Sequence, residues 1–347
     1  VRKHGQKGIR GAAQYGKGLL AAGAILAVLT GCGEGNDGNM GNGQQPSAAP
    51  SNIAATTEQA SAIKPEELGE AMLRGEYGRI YGQLSDSFKE QVSEADLTKM
   101  MKQFTEGVSA FEPISALKVN GSEQRVWRDG SGERGVFGVF DGEGTIHGLQ
   151  LLGLSSFPET DNARTETVFD LPFEGEWLVY WGGSNVLLNY HYEHESQRYA
   201  YDFVQAKDGY TYNGDPANNE SYYAFGKPVL APAEGIVVAV INDIDDNAPV
   251  GVMNEKEPAG NLVVIDHGGN EYSFLAHLKK GSVTKKPGDK VKRGEEIGLL
   301  GNSGNSSEPH LHYQVSDGAD LFSSRSIHVN WNAGLAPVRG DIVNKGE

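Results

Sequence analysis

Between positions 62 and 112 apolar residues recur at helical spacing, and after Pro113 the period shortens to two. Lys64-Pro65-Glu66-Glu67 puts a proline and two acids where the first turn of a helix accepts them. A second helix start is marked by Ser93-Glu94-Ala95-Asp96, which fits a capping box, with Leu97, Met100, Met101, Phe104 and Val108 following on one stripe. That stripe predicts a face covered by a core. From Pro113 the segments "ISALKV", "QRVWRD", "RGVFGVFD" and "TIHGLQLLG" alternate between Gly, Asp and Ser turns, as successive antiparallel strands do. Helices followed by a run of strands predict an α+β N-terminal domain, helices on a curved antiparallel sheet, over residues 63–160. "RTETVFDLP" and "GEWLVYWGG" continue the strand pattern, and Gly and Pro punctuate the rest every few residues. Residues 161–347 therefore read as a second, all-β domain.

The chain ahead of residue 63 changes this picture. Arg2, Lys3, Lys7, Arg10 and Lys17 precede the apolar run "GLLAAGAILAVLTG", and Cys32 follows. A positive segment, a short apolar segment and small residues at a processing site describe a secretory signal over residues 1–31. The run is too short to span a bilayer as a helix. Leu29-Thr30-Gly31-Cys32 resembles the lipobox of bacterial lipoproteins, which implies lipidation of Cys32, a membrane anchor and an extracytoplasmic location. Residues 32–62 hold Gly, Asn, Gln, Ser, Ala and Pro with hardly a large apolar residue, the composition of a flexible linker. The formal charge is −16, and losing five cations with no acids in residues 1–31 makes it −16 − 5 = −21. Such a surface excludes nucleic acid as a partner, because phosphate binding needs a basic face.

Candidate chemistry lies in the second half. Seven of the nine histidines follow position 190, where an even scatter would put fewer than half. Two of them, His310 and His312, stand one residue apart in "SSEPHLHY", and in a strand both enter one space. Pro287-Gly288-Asp289 and Arg293-Gly294-Glu295 are tight turns that set short strands back to back, giving a strongly curved antiparallel fold with an open groove.

Three segments, "GKPVLAPAEGIVVAV" (226–240), "GNLVVIDHGGNEYSFLAHL" (260–278) and "PGDKVKRGEEIGLLGNSGNSSEPHLHYQV" (287–315), carry a resemblance. Together they resemble the lysostaphin-type, or LytM-like, zinc endopeptidases, which cut peptide bonds in bacterial cell walls. The resemblance implies a Zn²⁺ cofactor and peptidoglycan stem or cross-link peptides as substrate. It also implies that Asp202 in "RYAYDF" and His312 hold the zinc, while His277 and His310 handle protons and the oxyanion. His267, ahead of Gly268-Gly269, reads as a loop residue outside the site. Asn302, Ser303 and Ser306 are groove or turn residues.

The pattern breaks at one place. The family's first zinc histidine falls at position 198, where this chain has Arg198, and a guanidinium offers no lone pair. His191 or His194 can replace it. A two-residue turn at Ser196-Gln197 would oppose Glu195 to Arg198 and His191 to Asp202, which favours His191; a slip of one residue would bring His194 opposite Arg198. The rival reading is a catalytically degenerate protein that binds wall peptides or regulates a hydrolase.

Overall fold

The computed structural model describes residues 62–345. Cys32, the signal segment and nearly all of the linker lie outside the described residues. Among the described residues, no helix is long and apolar enough to cross a membrane.

After a 3₁₀ turn at Pro65–Glu67 come α1 (Leu68–Leu73), α2 (Tyr77–Gly82), α3 (Asp86–Lys89) and α4 (Glu94–Thr105). Ser93 caps α4: its Oγ accepts from the Asp96 amide at 3.1 Å and donates to the Asp96 carboxylate at 2.6 Å. Such a cap is worth about 1 kcal/mol. Leu97 and Met101 are buried, and Met100, Phe104 and Val108 pack partly buried on the same core. That core closes on an antiparallel meander of β1 (Phe111–Val119), β2 (Ser122–Asp129), β3 (Arg134–Phe140) and β4 (Ile146–Gly153), through Phe111, Trp127, Val136 and Phe140.

A short helix, α5 (Pro158–Asp161), leads into the second unit. Its early strands are β5 (Val168–Phe169), β6 (Glu176–Trp181), β7 (Tyr201–Val204), β8 (Pro228–Leu230), β9 (Gly235–Ile241), β10 (Asn261–Asp266) and β11 (Tyr272–Leu278). The later ones are β12 (Lys290–Val291), β13 (Glu296–Leu299), β14 (Leu311–Ser316), β15 (Ser326–Ile327), β16 (Asn330–Trp331) and β17 (Ile342–Asn344). One sheet of nine strands runs in the order β12-β9-β10-β11-β14-β7-β6-β17, with β15 added on β14. It is antiparallel and does not close, as the turn pattern predicts; β5 and β16 depart from it by pairing in parallel.

Strand alternation separates core from site. On β14, Leu311, Tyr313 and Val315 enter the core, and on β7 Tyr201 and Phe203 join them against Trp331 and Phe173. Asp202, His312 and Gln314 therefore share the other face. The two units meet through Leu117 and Val119 against Leu178 and Val204, and through Asn120, whose side chain accepts from the Thr211 amide at 2.9 Å.

His328 is a structural histidine of this unit, stacked on Tyr199 with ring centroids 4.8 Å apart. Burial pushes its imidazole down to about 4, while the unfolded chain protonates near 6.5. Below pH ~6.5 the unfolded state binds the extra proton, so stability falls with pH down to about 4, by up to about 1.4 kcal/mol per unit. Urea unfolding at pH 7 and pH 5 is expected to show a smaller loss in His328→Phe, which keeps the stack and cannot titrate. An unchanged loss would contradict the assignment.

Candidate metal centre and groove

The register of the sheet builds the centre. On β14 and β7, His312 stands directly opposite Asp202. His312 Nδ1 lies 3.0 Å from Asp202 Oδ1, and His191 Nε2 lies 3.8 Å from Asp202 Oδ2. One ligand atom each from His191, Asp202 and His312 falls within 4.8 Å of the others, and all three side chains are buried. His310 reaches the same carboxylate from the side, with Nε2 3.7 Å from Oδ1.

His191 does not arrive on a hairpin. Tyr190–Glu193 is a 3₁₀ turn capped by Asn189, and the expected pairing of Glu195 with Arg198 is absent because Ser196 and Gln197 form no two-residue strand turn. The turn points His191 inward and leaves His194 exposed. Arg198 stays out of the trio. Its Nε donates to the Tyr192 carbonyl at 3.0 Å, and its guanidinium lies 3.4 Å from the Phe157 ring centroid. His267 also lies apart, held by the Glu234 carbonyl and the Ser273 hydroxyl.

His277 reaches the centre through a local irregularity. Alternation along β11 would send it into the core beside Leu275. The register against β10 slips between Val263↔Leu275 and Asn261↔Leu278, and His277 adopts φ +61° at that bulge. Its ring then stands 4.7 Å from that of His310 and 5.9 Å from that of His312, while Leu278 returns to the core. A left-handed conformation costs a side-chain-bearing residue roughly 1–2 kcal/mol, so the surrounding fold must enforce it. One enforcing contact is the Ser303 carbonyl, which accepts from His277 Nδ1 at 2.8 Å. The loop bearing Ser303 crosses Gly260 so closely that a Cβ there would meet the Ser303 carbonyl at 2.3 Å.

Each imidazole is oriented by a second partner. His191 Nδ1 donates to Asn189 Oδ1 at 2.9 Å, His310 Nδ1 to the Glu308 carbonyl at 2.8 Å, and His312 Nε2 to Gln314 Oε1 at 3.1 Å. These bonds leave Nε2 of His191, Nε2 of His310 and Nδ1 of His312 with lone pairs turned toward Asp202. A nitrogen facing a carboxylate oxygen at 3.0 Å needs a proton or a metal ion between or beside them, so the donor set fits a metal ion. Burial pushes the His191 imidazole down to about 3 and holds His277 far below its usual range, so both stay neutral at neutral pH. Burial would raise the Asp202 carboxyl, but the histidines, His191 foremost, hold it below the ordinary carboxylate range. The centre thus offers one anion and several neutral nitrogens.

Asn302, Ser303 and Ser306 are buried braces: Ser306 Oγ lies 3.1 Å from His310 Nδ1 and donates to the Glu308 carbonyl. Sequence reasoning passed over Asn189, Gln314 and Glu308. Gln314 was discoverable, since position 314 follows 310 and 312 on one strand face. The Glu308 carboxyl, beside Thr211 at 3.2 Å, is pushed up to about 7 by burial. Around the centre runs a groove bordered by Tyr190, Pro258, Asn305, Leu321 and Phe322, with Tyr190 and Phe322 about half exposed.

The model of Peptidase family M23 matches residues 221–323, which include His277, His310 and His312 but not His191 or Asp202. Peptidoglycan DD-endopeptidase ShyA of Vibrio cholerae is 40% identical over 91 residues, 26% of this chain and 17% of that protein. An uncharacterized metalloprotease of Haemophilus influenzae is 39% identical over 89 residues, 26% of this chain and 16% of that protein. The matched stretch thus spans under a fifth of the length of either relative. The solved catalytic domain of the antimicrobial peptidase lysostaphin from Staphylococcus simulans is 21% identical, covering 44% of this chain and 88% of that one with a TM-score of 0.25. The stretch that is similar to Peptidase family M23, residues 221–323, thus carries three of the five candidate residues, His277, His310 and His312.

Proposed function

We propose that the protein is a zinc-dependent endopeptidase that hydrolyses peptide bonds of bacterial peptidoglycan, working outside the cytoplasm from a lipid anchor on Cys32. The observation that carries this reading is the facing pair His312 Nδ1 and Asp202 Oδ1, 3.0 Å apart and closed on a third side by His191. The relative named as a peptidoglycan DD-endopeptidase supports the substrate class. His191 Nε2, Asp202 and His312 Nδ1 would hold the zinc, a set of three protein ligands that leaves a position open. What zinc supplies when bound there is Lewis acidity toward a water or a scissile carbonyl.

The remaining work belongs to the chain. His277, neutral and anchored through Nδ1, presents Nε2 as the acceptor for a proton from the attacking water, and returns it to the leaving amine. His310, also anchored through Nδ1, would meet the charge that develops on the carbonyl oxygen with a second proton on Nε2, since only an N–H stabilises that charge. Tyr190 and Phe322 border the groove with apolar surface for a peptide's side chains.

Zinc analysis of purified protein tests the reading. One zinc per chain is expected in the wild type and in His194→Ala, and none in His191→Ala; hydrolysis of purified peptidoglycan should follow the zinc. A wild type that binds no zinc when supplied with it would leave the wall-peptide-binding alternative, for which Arg198 at the family's ligand position was the argument.

A further inference from the structure

Arg339 is 2% exposed, yet its guanidinium is incompletely satisfied. Nη2 donates to Gln124 Oε1 of the first unit, while Nε and Nη1 have no hydrogen-bond partner. Nε carries one hydrogen and Nη1 two, so three of the five N–H bonds point at nothing. The guanidinium lies 3.7 Å from the Trp181 ring centroid and 5.2 Å from that of Phe137, contacts that position a cation without neutralising it. Burial pushes it down only to about 10, so it is charged at neutral pH. A buried, unpaired charge is among the most costly features a fold can keep.

The side chain borders a cleft of about 720 Å³ between the two units, walled by Phe137, Val139 and Leu149 from one and Trp181, Val186 and Leu187 from the other. That volume lies within the range of small-molecule sites. We propose that this cleft binds the C-terminal carboxylate of a short peptide, Arg339 taking the carboxylate and the aromatic and aliphatic walls taking the apolar side chains. One guanidinium balances one negative charge. A dianionic phosphate would lack its second cation, and the ionised Asp141, which also lines the cleft, repels a second negative charge more than one. Gln150 adds an amide that suits a peptide bond better than an alkyl chain, while Asn120 and Ser122, also in the lining, are held by Thr211 and by the Val119 carbonyl. The site depends on neither metal nor hydrolysis, and its cleft shares no lining residue with the groove at the metal centre, which it adjoins: Trp181 lies 5.3 Å from the Tyr190 ring, and Tyr190 in turn covers His191.

Calorimetric titration of the full chain with N-acetyl-alanyl-alanine and with its C-terminal amide tests this. The acid is expected to bind at least about tenfold more tightly than the amide, the scale of a charge-assisted hydrogen bond. Arg339→Gln should erase the preference. Gln124→Glu, which supplies an internal carboxylate to the same guanidinium, should erase it too while raising the Tm, and it covers the case in which Arg339→Gln does not fold. Equal affinity for acid and amide, binding of neither at millimolar concentration, or a preference that survives both substitutions would overturn the proposal. Because binding is read without turnover, a protein inactive on peptidoglycan could still pass this test, and an active one could fail it.

Discussion

For the proposed zinc endopeptidase, Asp202→Ala is expected to bind no zinc and to hydrolyse peptidoglycan more than about 10⁴-fold more slowly than the wild type, beyond the range that loss of a general acid or base produces. The expectation follows from position. Asp202 approaches His312 at 3.0 Å, His310 at 3.7 Å and His191 at 3.8 Å, and it is the anionic member of the ligand trio. Without it, the two imidazoles that remain bring no negative charge to a doubly charged ion. Asp202→Asn separates charge from shape, since the amide fills the same space and still faces His312. The structure predicts that Asn fails nearly as badly as Ala in zinc content and rate. Retention of one zinc and full activity in either variant would place the metal elsewhere.

His277→Asn should behave differently: zinc stays, and kcat falls by about 10²- to 10⁴-fold. Asn is the chosen replacement because it tolerates the left-handed backbone at φ +61° better than most residues. The imidazole it removes is anchored to the Ser303 carbonyl and kept neutral by burial, the state in which Nε2 accepts a proton. Single-turnover hydrolysis alongside elemental analysis distinguishes the roles. Loss of zinc with the rate would make His277 a ligand, and an unchanged rate would remove it from the mechanism.

Much of this was legible because strands have a fixed period. His310, His312 and Gln314 share a face by alternation alone, and the N-cap at Ser93 marks the start of α4 to within the residue. His277 was legible as a candidate through its surrounding pattern but not through its geometry. A bulge is one extra residue in a strand, and nothing in "YSFLAHL" announces where it falls. His191 was chosen over His194 for a reason the fold does not use. A 3₁₀ turn capped by Asn189, rather than a tight hairpin, aims its ring, and Arg198 answers to Phe157 and Tyr192 instead of Glu195. Short polar segments of this kind are decided by long-range packing, which a local reading cannot weigh. Arg339 gave no signal at all, because its environment comes from two units about two hundred residues apart in sequence, Gln124 and Arg339 themselves being separated by 215.

The pairing of Asp202 with His312 joins positions 110 residues apart. Contacts of such long sequence separation carry a large loop-closure entropy and form late, after the local hairpins they depend on. The β9–β10–β11 ribbon can assemble from near neighbours, but β14 must then meet both β11 and β7 before the two ligands share a space. The arrangement of these side chains is therefore a property of the finished sheet and has no partial form. An incompletely folded chain holds all five residues but not the space they share, so whatever chemistry the centre performs waits for the last central strand.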